Sequence, residues 1–204
     1  KVLELKKQIK NGEINRKHVY LELQAQYDWL YKKVGERLTH IDSHQEINKQ
    51  KFISDILIEF SHKLPYKHGL RVYNKSYLTV SNGKLKIDNP GLFNHSGFGF
   101  RRCLVETYFR YRNRKLKKYY SLPNGMLLTR DNSTRALLKT LIMLDSTDFD
   151  NKCYEIMCHP AKSTEGLSET KMLQSRVEEY EILKSSEFQR FIKQIKLFNF
   201  SDLK

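Results

Sequence analysis

Short apolar runs that end in polar residues alternate along this chain with longer stretches in which apolar residues recur every three or four positions. Tyr20, Leu23, Tyr27, Leu30 and Val34 recur in that way, which predicts a helix from about Lys17 to Lys33 with Asn15 as its cap and Gly35 as its stop. "RLTHID" then reads as a strand, "NKQKFISDILIEFSHKL" as a second helix and "GLRVYN" as a second strand. Further on, "TRALLKTLIML" reads as a helix and "KCYEIMC" as a strand. Strands that alternate with helices predict an α/β architecture with parallel strands. The central "YNKSYLTVSNGKLKIDNPGLFNHSGFGF" is rich in Gly, Asn and Ser, and is expected to form loop or short hairpin, an insertion at one rim of the sheet or barrel.

At 204 residues and 39% hydrophobic, the chain can bury a sizeable core and is expected to form one domain. It holds no apolar stretch long enough to span a membrane and no secretion-type start, so a soluble protein is expected. Cys103, Cys153 and Cys158 are odd in number and lack CxxC spacing, which argues against a disulfide framework and fits a reducing cytoplasm. The first residue is lysine, and "KVLELKKQIKNG" already has helical spacing, so further sequence is expected upstream.

The net charge of +14 attracts polyanions without identifying one. Half of it lies in "RRCLVETYFRYRNRKLKK", Arg101 to Lys118, where eight basic residues face one acid. Tyr108, Phe109 and Tyr111 interleave with the arginines, a mixture that can stack bases and hold phosphates. The preferred reading is an amphipathic helix with a solvated basic face and Leu104, Val105, Tyr108 and Phe109 packed inward, because no nucleic-acid motif accompanies the run.

Two places carry candidate chemistry. In "RLTHIDSHQEIN", His40, Asp42 and His44 lie two residues apart, a spacing that in a strand projects all three from one face at its carboxyl end. Imidazole and carboxylate suit divalent metals. The same residues also fit a hydrogen-bonded core histidine followed by a helix-capping turn. In "YEIMCHPA", His159 emerges from a strand end with Pro160 fixing the chain's exit, where a general acid or base would stand, although a structural histidine fits that pattern too.

With "LELQAQYDWL", "LTHIDSHQ", "HGLRVYN", "YEIMCHPA", "SRVEEYEILKSSEF" and "IKLFNFSDL" in this order, the chain resembles the YdjC-like carbohydrate deacetylases, which remove acetyl groups from N-acetylated sugars such as chitooligosaccharides. The resemblance spans residues 19–203 and leaves mainly the central insertion, at about residues 74–125, unmatched. It implies a (β/α) barrel, here incomplete at the amino terminus, and a divalent metal ion, Mg2+ or Zn2+, with His44 as ligand. It further implies His159 as proton donor to the leaving amine, Asp42 and His40 as supporting residues, and Arg71 as a substrate-binding residue. Arg176 matches a family arginine that could brace a helix.

The resemblance departs in two respects. Gln45, Glu46, Ile47 and Asn48 stand where the family continues into further histidines, and the family's paired aspartates and another metal-binding histidine would lie before Lys1. The mechanism implied is metal-assisted amide hydrolysis, with an N-acetylated sugar or oligosaccharide as substrate, no membrane partner, and self-association left open. The alternatives are a non-catalytic carbohydrate-binding relative and a basic nucleic-acid-binding module.

Overall fold

The computed structural model describes residues 2–71, 74–81, 84–88, 99–129, 133–143, 152–166 and 173–203, except the side chains of Val2, His44, Gln45, Val80, Ser81, Lys84 and Leu85. The chain divides into two compact units, one comprising residues 1–74, 107–123 and 198–204, the other residues 75–106 and 124–197.

In the first unit, α1 (Val2–Lys10) precedes α2 (Arg16–Val34), whose bounds match the expected helix. The Asn15 side chain accepts a hydrogen bond from the Lys17 amide at 2.8 Å, and Gly35 ends the helix with a φ of 58°, a value that glycine adopts without a Cβ penalty. Tyr20 and Tyr27 of α2 meet Phe60 of α3 (Lys51–Ser61) edge-on, at 5.8 and 5.5 Å between ring centroids. That geometry sets the positive ring edge against the negative ring face. Strands β1 (His40–Ile41) and β2 (Gly69–Leu70) pair in parallel, as the strand–helix–strand pattern predicts. Leu57, Leu70, Leu116 and Tyr120 form the buried core of this unit.

The second unit holds a four-stranded sheet of order β4-β3-β5-β6, made of β3 (Lys75–Ser81), β4 (Lys84–Asp88), β5 (Gly125–Leu128) and β6 (Tyr154–Glu155). The β3–β5 and β5–β6 pairs are parallel and β3–β4 is antiparallel. The central segment does form the expected hairpin, with β4 at the sheet edge, while β3 is an inner strand whose Tyr77 is fully buried. Asn82-Gly83 stands between β3 and β4 in the sequence, a composition that two-residue hairpin connections favour. Leu78 and Leu127 of the sheet pack with Leu137, Leu138 and Leu141 of α5 (Thr134–Ile142) and with Phe188 and Phe191 of α7 (Ser186–Gln194). Helix α6 (Leu173–Lys184) packs against both of these helices.

The fold is therefore mixed α/β. The described strands form a two-stranded and a four-stranded sheet rather than a closed barrel. No helix among the described residues is long and apolar enough to cross a membrane.

Helix α4 (Phe100–Leu116) carries the basic run, and its inward face differs from the one expected. Leu104, Val105 and Tyr108 are exposed, and the buried positions are Cys103, Glu106 and Leu116. The buried stripe is partly polar, so an apolar period could not reveal it. Two of the basic residues are also tied into the structure. Arg102 donates to the Tyr77 hydroxyl and lies 4.4 Å over its ring, while Arg112 donates to the Lys49 carbonyl at 2.6 Å and to the Ser54 hydroxyl.

Candidate active site

The strand carrying His40 is shorter than the spacing argument needs. Pairing ends at Ile41, and a 3-10 helix runs over His44–Lys49, so strand alternation covers His40 and not His44. The His44 side chain lies outside the described residues.

His40 and Asp42 stand beside Arg71, which directly follows β2. The Arg71 amide donates to the Ile41 carbonyl at 3.1 Å, and its guanidinium reaches back to the Asp42 carboxylate at 2.7 Å. Asn48 completes the arrangement, because its buried side-chain amide donates to the Arg71 carbonyl at 2.7 Å. Asn48 stands within the stretch where the family pattern has histidines, and here it is a clamp on Arg71. No sequence signal marks it, since its partner lies 23 residues away. The His40 ring stacks on Phe200 at 4.6 Å, and burial pushes its pKa down against the raising effect of Asp42.

In the second unit, the chain leaves β6 at Glu155 and continues through Met157 and Cys158 to His159. The His159 amide donates to the Glu179 carboxylate of α6 at 2.7 Å, and the Ala161 amide donates to the Arg176 carbonyl at 3.0 Å. Glu179 is a buried carboxylate that sequence reasoning missed, since "SRVEEYEILK" offers neighbouring glutamates with no mark of which one turns inward. Arg176 stands on the same helix, with its Nε buried and unpaired among the described residues. Burial, with the Glu179 charge adding to it, pushes the Cys158 thiol up to about 11 and keeps it protonated near neutral pH.

A metal needs several converging donors. Asp42 is engaged by Arg71, and no group of three His, Cys, Asp or Glu residues able to hold a metal occurs among the described residues. The described donors thus do not make a metal centre by themselves.

The first unit thus sets an Arg71–Asp42 ion pair beside His40 at one pair of parallel strands, and the second unit holds His159 just beyond another strand. The chain belongs to the YdjC-like protein family, whose pattern matches residues 3–194, a carbohydrate deacetylase-like family. No curated protein and no solved structure gives a significant match.

Proposed function

We propose that this protein is a carbohydrate deacetylase, a metal-dependent hydrolase that removes acetyl groups from N-acetylated sugars, built on the α/β fold of the YdjC-like family. The observation that carries the reading is the family match over residues 3–194. The parallel pairs β1–β2 and β3–β5–β6, and the place of His159 just beyond β6, are consistent with it.

In this reading His44 is a ligand of a divalent ion, Mg2+ or Zn2+, which when bound polarises the acetyl carbonyl and acidifies a water. Arg71, braced by Asp42 and Asn48, holds a substrate oxygen, and His40 supports that strand end. The water oxygen adds to the acetyl carbon, with its proton passing to solvent, and protonated His159 gives a ring proton to the amide nitrogen as the carbon–nitrogen bond breaks, so that the sugar leaves as a neutral amine and the acetyl group as acetate. A reducing cytoplasm suits a chain in which Cys153 and Cys158 are free thiols.

The test is acetate release by the protein from N-acetylated sugar oligomers, with Mg2+ or Zn2+ added. Release above a heat-inactivated control supports the reading, and none from any oligomer with either metal ends it.

A second reading is favoured by one observation. Tyr108 and Tyr111, at 50% and 59% exposed, stand among arginines and lysines, an arrangement that stacks bases and holds phosphates. It predicts binding of a labelled single-stranded oligonucleotide that weakens steeply between 50 and 200 mM salt, as phosphate neutralisation requires (about 10³-fold or more for six or more contacts). Anisotropy that does not rise at the lower salt removes it.

A further inference from the structure

We propose that Glu179 is the positioning residue for His159, holding its main chain so that the imidazole keeps one direction; the inference rests on the deacetylase reading for its catalytic consequence and on geometry for the clamp itself. Beyond Glu155 the segment leading to His159 has left the sheet ladder. Its main chain is held instead by α6, through His159 N–H to Glu179 Oε2 at 2.7 Å and Ala161 N–H to the Arg176 carbonyl at 3.0 Å. Pro160 between them has no N–H and a fixed φ, so each residue of the segment His159–Ala161 carries a restraint.

The imidazole makes little contribution to its own orientation. Its Nδ1 is buried and has no hydrogen-bond partner among the described residues, so no bond at that nitrogen fixes the ring. The backbone that Glu179 pins then sets the point from which the imidazole projects and the rotamer wells open to it.

Packing alone does not explain a carboxylate there. Glu179 is 1% exposed, and a buried carboxylate costs several kcal/mol unless hydrogen bonds compensate it, whereas an apolar residue of similar size would fill the space without that cost. A hydrogen bond from an amide to a carboxylate is roughly twice as strong as a neutral one, which suits a clamp on a catalytic turn.

The experiment compares the wild-type protein with Glu179→Leu and Glu179→Gln by amide NMR, hydrogen exchange and acetate release. In the wild type the His159 and Ala161 amides exchange slowly, and the His159 amide proton lies downfield. Glu179→Leu moves that proton upfield and lowers kcat about 10²-fold with KM within about twofold, the loss that about 1 Å of misplacement brings. Glu179→Gln, which retains an acceptor oxygen, recovers most of that loss. Fast exchange of both amides in the wild type overturns the clamp even if the Leu variant fails to fold. So does an unmoved His159 amide in a folded Leu variant, and so does a Gln variant as impaired as Leu. If the wild type releases no acetate, the deacetylase reading fails, while the exchange and chemical-shift results still decide the clamp.

Discussion

A Cβ on Gly69 would run into the side chain of Phe200, whose ring also stacks on His40, so this corner of the first unit closes only around glycine. Gly69→Ala should therefore cost about 1–3 kcal/mol, as overpacking does. Gly99→Ala, where nothing lies within 4 Å of the added carbon, should be near neutral. Urea denaturation of the two variants checks this, and equal midpoints would contradict the wedge. His68 sets a second limit. It is fully buried, its Nδ1–H donates to the Tyr66 carbonyl at 2.9 Å, and its Nε2 accepts from the Tyr27 hydroxyl at 3.2 Å. Burial lowers the pKa of His68 and, less directly opposed by hydrogen bonds, that of His40 below the usual 6.5. Each group takes up its proton less readily folded than unfolded, so its contribution to stability is complete above about pH 6.5 and is lost as the pH falls below it. The urea midpoint should drop between pH 7.5 and 5.5, and by less in His68→Asn. An equal drop in that variant would remove His68 as a cause.

Leu138 of α5 is fully buried among leucines and phenylalanines, and Leu138→Ala should cost about 2–5 kcal/mol. On α4 the opposite outcome is expected, because Leu104, Val105, Tyr108 and Tyr111 are exposed. Replacing Tyr108 and Tyr111 by Ser should change stability by no more than about 0.5 kcal/mol each, and thermal unfolding that drops sharply for Tyr108→Ser would restore the inward face that the sequence suggests for Tyr108. This contrast marks what a sequence can disclose. Helix α2 was legible to within a residue because its cap, apolar period and terminal glycine agree. The strands were legible in kind, since apolar runs between helices mark them, but β1, β2 and β6 pair over only two residues each and their ends carry no signal. The inward face of α4 was hidden because Cys103 and Glu106 occupy it, and a buried glutamate looks like a surface one until its neighbours are known. At the site, His40 and Asp42 could be singled out because their residue types stand out near a strand end, whereas Arg71 is named only through the family resemblance. Asn48 and Glu179 could not, since each acts through a main-chain partner 20 or more residues distant.

Taken as one molecule, the protein has a mixed α/β fold, YdjC-like family membership, and a histidine set after β6 and clamped by a buried carboxylate. Metal content is one property of the intact protein that bears on this. If His44 is a ligand, His44→Ala should abolish tight binding of Mg2+ or Zn2+ while His40→Ala weakens it modestly, and equal metal content in His44→Ala protein and wild type would end that assignment. Charge is another, and the excess of +14 means that assays at low ionic strength will favour any anionic oligosaccharide over a neutral one. The most direct measurement is steady-state acetate release from an N-acetylated sugar oligomer by wild-type protein and by His159→Gln, with folding of both verified by circular dichroism. The account predicts release by the wild type and a kcat lower by about 10²–10⁴-fold in the variant with KM little changed, as the loss of a general acid requires. Near-normal kcat in folded His159→Gln would contradict it.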